Sequence, residues 1–203
     1  MVNQLQVFGG HGFIGSKFVQ THDNCIVNDK YDYTVKSKNI LYFISTVTNY
    51  NMKVNPYIDI ETNLITLMRV LEQCKDKDVI FNFISSWFVY GHTDMPATEE
   101  SVCNPSGFYS ITKRAAEELL ISYCKTFNIK YRILRLSNVV GQGDSKASPK
   151  KNALQYMINE IKANNDVNVY EGGGMLRDYI HVLDVCRALN IVMEKGELDT
   201  VYN

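Results

Sequence analysis

Tyr109 and Lys113 stand four positions apart at the start of a helical run, so they share one helix face. A phenol is a poor base at neutral pH, but a nearby positive charge favours its phenolate and so enables proton transfer. Ser85 and Ser86 close the apolar run Val79–Ile84, which puts a hydroxyl at the carboxyl end of a strand, where open α/β sheets bind ligands. Tyr109 could then move the proton of a hydroxyl that becomes a carbonyl, with Ser86 hydrogen-bonded to it and Lys113 beside the phenol. With 13 tyrosines in 203 residues, chance supplies about one Y-x-x-x-K, so the pair draws its weight from context. The plainer reading is a surface Tyr/Lys pair and a serine in a turn.

A second motif supplies that context. Leu5–Phe8 runs directly into Gly9-Gly10-His11-Gly12-Phe13-Ile14-Gly15, a G-x-x-G-x-x-G turn followed by a helical pattern. Such a turn lets the backbone from Gly9 to Gly15, with Gly12, Phe13 and Ile14 at the helix start, approach a pyrophosphate closely. Asp29 lies 20 residues beyond Gly9, just after the strand-like Cys25–Asn28. A carboxylate there can accept hydrogen bonds from adenosine ribose hydroxyls and repels a 2′-phosphate. Together they predict a dinucleotide site that takes NAD rather than NADP, with Lys30 as a neighbouring cation and Lys113 able to hold the nicotinamide ribose.

The elements that must carry these residues alternate. Strands are predicted at Leu5–Phe8, Cys25–Asn28, Ile40–Ser45, Val79–Ser85, Tyr131–Leu136 and Val167–Tyr170, and helices near Phe13–Thr21, Pro56–Cys74, Tyr109–Phe127, Asn152–Ala163 and Val182–Glu194. Several strands are almost continuously apolar, as in a parallel sheet covered on both faces. The pattern reads as α/β, a doubly wound parallel sheet, in one domain over 1–203, with residues from about 137 to 203 forming a small, incomplete substrate-facing portion.

Composition sets the bounds. Apolar residues make up 45% and charged ones 21%, the profile of a globular chain. A net charge of -1 argues against nucleic-acid binding by bulk electrostatics. Five scattered cysteines without a C-x-x-C predict free thiols and no metal site. No signal peptide or membrane-length apolar run is visible, so a cytoplasmic location is expected.

Taken together, these residues resemble the extended short-chain dehydrogenase/reductases, the NAD-dependent epimerase/dehydratase family. The resemblance spans the chain: Gly9–Gly15, Asp29, Ser85-Ser86-Trp87-Phe88-Val89-Tyr90-Gly91, Tyr109-x-x-x-Lys113, Arg135-Leu136-Ser137-Asn138-Val139-Val140-Gly141 and Arg177-Asp178-Tyr179-Ile180-His181-Val182. It implies a Rossmann fold, bound NAD, a nucleotide-diphosphate sugar as substrate and a homodimer. It assigns catalysis to Ser86, Tyr109 and Lys113. Asn63 and Asn138 become substrate contacts, and Arg177 becomes the guanidinium that grips the diphosphate. An ion pair of Arg177 with Asp178 or Asp184 is the structural alternative, and His11 and His181 are read as structural.

Two departures stand out. The stretch between Asp29 and Ile40 is short, so a helix and a strand usual in the family are expected to be missing or reduced. The family pattern also continues beyond Asn203. In the family's dehydratases acidic residues follow the catalytic Ser/Thr, whereas Trp87 and Phe88 stand here, and neither moves a proton. The resemblance therefore favours an epimerase that oxidises a sugar transiently and restores it. A reductase of the same family is the alternative, and a non-catalytic dinucleotide sensor is the alternative of another class.

Overall fold

The computed structural model describes residues 4–47, 50–93, 96–144, 147–149, 151–174 and 176–203. The main sheet holds β1 (Leu5–Phe8), β2 (Cys25–Val27), β3 (Asn39–Tyr42), β4 (Ile80–Ser86), β5 (Lys130–Leu136) and β8 (Thr200–Tyr202). Their order is β2-β1-β3-β4-β5-β8, and every neighbouring pair is parallel.

Side chains alternate between the faces of a strand, so a sheet covered on both faces needs two cores. Phe8, Ile40, Tyr42, Phe81, Phe83 and Ile133 point to one, against Leu67 and Leu71 of α3 (Thr66–Cys74) and Leu120 of α4 (Phe108–Thr126). Val7, Leu41, Ile84 and Leu134 point to the other, against Phe18 of α1 (Phe13–Gln20) and Val185 and Leu189 of α6 (Val182–Lys195). Full burial of such a side chain stabilises the fold by roughly 1.5–3 kcal/mol. These two cores are the Rossmann-like, doubly wound architecture that the alternation predicts.

The short link after β2 holds no helix or strand among the described residues. Gln6, buried on β1, organises it: its amide donates to Asn28 at 2.6 Å and to the Thr34 carbonyl at 2.7 Å, and its Oε1 accepts from Lys36 N at 2.7 Å.

Two expectations need correction. Val167–Tyr170 is not a strand; residues 167–169 have no regular structure and a 3₁₀ turn covers Tyr170–Gly173. A strand exists only against a partner, and the outer edge of β5 is taken by β8. Within 137–203, α6 packs on the sheet and β8 extends it. What does stand apart is a small pair of strands, β6 (Asn138–Val140) with β7 (Tyr179–His181), between which the chain forms α5 (Ala153–Lys162). Finally, the helix expected at Pro56–Cys74 begins as α2 (Ile58–Ile60) and passes through a π turn at Glu61–Ile65 before α3. Among the described residues no helix is long and apolar enough to cross a membrane.

Candidate active site

The glycine turn is closed by backbone alone. Gly9 has φ +82°, and a Cβ there would lie 3.0 Å from Ile44 N. Gly12 N donates to Gly9 O at 3.0 Å, and a Cβ on Gly15 would come within 2.4 Å of that same oxygen. Side chains at these positions would push the turn open. Gly12 caps α1 without a side-chain hydrogen bond, and no acidic residue occupies the first turn. The first N–H groups of α1 are therefore left to an anion, as a pyrophosphate requires. Gly9, Gly12, Phe13, Ile14 and Gly15 all line a cleft of about 270 Å³ at the carboxyl ends of β1, β3 and β4.

Ser86, Tyr109, Lys113 and Asn138 line the same cleft. Ser86 ends β4, where its Oγ accepts from Phe88 N at 3.4 Å and starts the 3₁₀ turn Trp87–Val89. Tyr109 sits in the first turn of α4, with the edge of the Phe88 ring packed on it at 5.8 Å between centroids. Burial pushes the phenol up from its ordinary value; hydrogen bonds with Ser86 and Ser45 pull it down, and the charge of Asp59 raises it. Lys113, only 2% exposed, donates to the Ile84 carbonyl at 2.7 Å and lies 4.2 Å above the Phe83 ring. Its burial pushes it down to about 7, against an opposing pull from Glu117. In this arrangement burial thus disfavours the charged form of Lys113, and Glu117 favours it.

Three expected site residues do not line this cleft. Asn63 does not line the cleft: it is 2% exposed and its amide is fully engaged. Oδ1 accepts from Ser45 Oγ and Thr46 N at 3.1 and 2.9 Å, and Nδ2 donates to Thr46 Oγ1 and Thr112 Oγ1, both at 2.9 Å. No group is left for a substrate, so the expected contact gives way to bracing the end of β3. Arg177 is exposed and lines a second, larger cleft of about 890 Å³ with Trp87 and Tyr90; the two clefts meet at Leu136 and Ser137. Asp184, one of its suggested partners, pairs with Arg187 at 2.8 Å. Asp29 follows β2 at the sheet edge with its side chain 94% exposed, 3.7 Å from His11 Nε2.

Two features escaped the sequence reading. Ser45 and Thr46 follow β3 as Ser85 and Ser86 close β4, and both line the cleft; polar residues closing an apolar run were the available signal. Glu117, wholly buried, accepts from Arg135 Nε and Nη2 at 3.1 and 2.8 Å and from Arg114 Nη1 at 3.0 Å, tying α4 to β5. Arg135 also donates to the Tyr90 hydroxyl at 2.9 Å. Nothing local in the sequence pairs residues 117 and 135.

Comparison with known proteins accords with this geometry. A family model described as "NAD dependent epimerase/dehydratase family" matches residues 40–203. A dTDP-D-glucose 4,6-dehydratase of Dictyostelium discoideum is 27% identical, the match covering 100% of this chain and 58% of that protein. A putative UDP-glucose 4-epimerase of Methanocaldococcus jannaschii is also 27% identical, over 91% of this chain and 71% of its own length. Among solved structures, the UDP-N-acetylglucosamine 4-epimerase of Methanobrevibacter ruminantium superposes with a TM-score of 0.89 at 21% identity, covering 99% of this chain and 76% of that one. The UDP-glucose 4-epimerase of Thermus thermophilus, solved with NAD, gives 0.82 at 22% identity, over 98% and 76%. At these identities the structural likeness is one of fold. The chain thus spans less than two thirds of the Dictyostelium relative.

Proposed function

The chain belongs to the NAD-dependent epimerase/dehydratase family, and from that premise we propose that it is an NAD-dependent nucleotide-sugar epimerase. The observation that carries the reading is the convergence of the glycine turn with Ser86, Tyr109 and Lys113 on one cleft. Bound NAD supplies the oxidation of a sugar carbinol to a ketone and its reversal. The first-turn N–H groups of α1 hold the pyrophosphate, and Asp29 at the open edge accepts from the adenosine ribose and disfavours a 2′-phosphate. Ser86 and the Tyr109 oxygen hold the reacting hydroxyl, and Tyr109 takes its proton. Lys113, which here donates to the Ile84 carbonyl, would hold the nicotinamide ribose. Arg177, on the adjoining cleft, meets the diphosphate of the sugar nucleotide.

Relatives of the family include dehydratases as well as epimerases. The aromatic pair Trp87 and Phe88, with ring centroids 4.5 Å apart, supports the epimerase, because it fills with apolar rings the positions where a dehydratase carries proton-transferring acids. The test is incubation with NAD and a panel of nucleotide sugars, followed by mass and NMR analysis. A product of unchanged mass and new stereochemistry is expected. Loss of water would make the chain a dehydratase, and gain of two hydrogens a reductase.

A further inference from the structure

Tyr109, Lys113 and Glu117 follow one another at intervals of four, so they share a face of α4. Glu117 is wholly buried, and its carboxylate ends a hydrogen-bonded chain that the proposed chemistry does not use. Arg135 of β5, 4% exposed, donates to it through Nε and Nη2 at 3.1 and 2.8 Å. The third nitrogen of the same guanidinium, Nη1, donates to the Tyr90 hydroxyl at 2.9 Å, and Cζ lies 4.8 Å from the centre of the Tyr90 ring. The Tyr90 hydroxyl gives its one hydrogen to Asn203 Oδ1 at 2.6 Å, which leaves its lone pairs for Arg135.

Tyr90 in turn closes the turn that Ser86 opens. Phe88 N donates to Ser86 Oγ at 3.4 Å, Tyr90 N donates to the Trp87 carbonyl at 3.1 Å, and the Tyr90 carbonyl accepts from Asn104 N at 2.9 Å. We propose that Arg135 is a positioning residue for the active site. One planar guanidinium holds Tyr90, and with it the Ser86 turn, against Glu117, and with it the face of α4 that carries Tyr109 and Lys113. β5 is the strand suited to this clamp, because Arg135 and Leu136 pair in parallel register with Ser85 and Ser86.

Ser86 and Tyr109 come from different elements, and nothing local in the sequence sets the distance between them. The three nitrogens of a guanidinium lie in one fixed plane, so its bonds to Glu117 and to Tyr90 fix each other's direction. A buried ion pair carries a desolvation cost that apolar side chains of the same volume avoid, so stability alone does not account for it. Placement does, since a misplacement of about 1 Å can lower a rate by on the order of 10²-fold. Arg135 also lines the larger cleft, but all three of its nitrogens are committed to Glu117 and Tyr90, so it acts through other residues. Arg114 Nη1, at 3.0 Å, adds a further donor to the same carboxylate from within α4.

The inference rests on the catalytic roles proposed for Ser86 and Tyr109, and its test separates the two. Tyr90→Phe keeps the ring under the guanidinium and removes only the hydroxyl, which cuts the arm towards Ser86 and leaves the Glu117–Arg135 pair. With NAD and a turned-over nucleotide sugar, kcat of the whole chain is expected to fall by about 10–100-fold, while KM, NAD affinity and melting temperature stay nearly unchanged. In an Arg135→Lys background, where a single ammonium replaces the fork, the same substitution is expected to cost almost nothing further. An intact kcat in Tyr90→Phe, an effect on KM alone, or equal losses in both backgrounds would each overturn the inference. Tyr90→Phe by itself decides the matter if Arg135→Lys does not fold. Crystal structures of the parent and Tyr90→Phe, both with NAD, read the separation of the Ser86 and Tyr109 oxygens without any turnover, and an unmoved pair also overturns it. If the parent turns over no nucleotide sugar while that separation changes in the variant, the clamp stands and the epimerase reading falls.

Discussion

The two clefts that meet at Leu136 and Ser137 are built on opposite terms. In the smaller one the candidate groups belong to the core: Lys113 is 2% exposed and donates to the Ile84 carbonyl of β4, and Ser86 is 8% exposed and accepts from Phe88 N of the following 3₁₀ turn. In the larger one the residues of the 176–179 segment are exposed, with Leu176 at 92% and Arg177 beside it, supported by the two-stranded β6–β7 pair. The difference teaches where preorganisation sits. Groups that must be perturbed to act are buried by the same packing that stabilises the sheet, at a cost in stability. A guanidinium proposed to recognise a diphosphate needs no such perturbation.

The comparison is sharpest at Tyr109. Tyr109→Phe keeps the ring and removes the oxygen, so turnover should fall by about 10²–10⁴-fold while the melting temperature and NAD affinity hold. Steady-state kinetics on a substrate from the nucleotide-sugar panel measure this, and unchanged turnover at every pH would remove the buried cleft's claim to the chemistry.

Lys113 tests the stability side. Its folded-state value, down at about 7, lies below the ordinary 10.5 expected of the unfolded chain. Between those limits the unfolded chain binds more protons, so this group makes stability rise with pH; below about pH 7 the penalty for its buried charge is present in full. Lys113→Met should therefore raise stability at pH 7 and below by about 1–4 kcal/mol and flatten the slope from pH 7 to 10.5, while weakening cofactor binding. Denaturant melts across that pH range read the effect, and a destabilised Met variant would show that Lys113 is a structural member of the core.

The smallest effect is expected in the open cleft. Arg177→Ala should weaken nucleoside-diphosphate binding by about 1.5–3 kcal/mol, the worth of one charge-assisted contact, and leave NAD binding and melting unchanged. Calorimetric titration with both ligands decides it, since an equal loss for NAD would mean that the two clefts are not independent.

Much of this was legible in the chain. The glycine turn, the strands from Leu5–Phe8 to Tyr131–Leu136 and the shared face of Tyr109 and Lys113 are local patterns, with the apolar period and the turn chemistry set by residues close in sequence. Asn63 was found as a residue and misread as a contact, because its four hydrogen bonds run to Ser45, Thr46 and Thr112 and no spacing encodes them. The last strand was missed and Val167–Tyr170 mistaken for one, since strand identity is granted by the neighbour that pairs with it.

By itself, then, the sequence determined the α/β alternation, the glycine turn between β1 and α1 and the shared helix face of Tyr109 and Lys113, all of which depend on near neighbours. Tertiary structure decided what those residues are worth. Burial between two cores disfavours the charged form of Lys113, and the Glu117–Arg135 pair holds α4 against β5. Desolvation and hydrogen bonding act through space between residues far apart in the chain, so only the fold sets them.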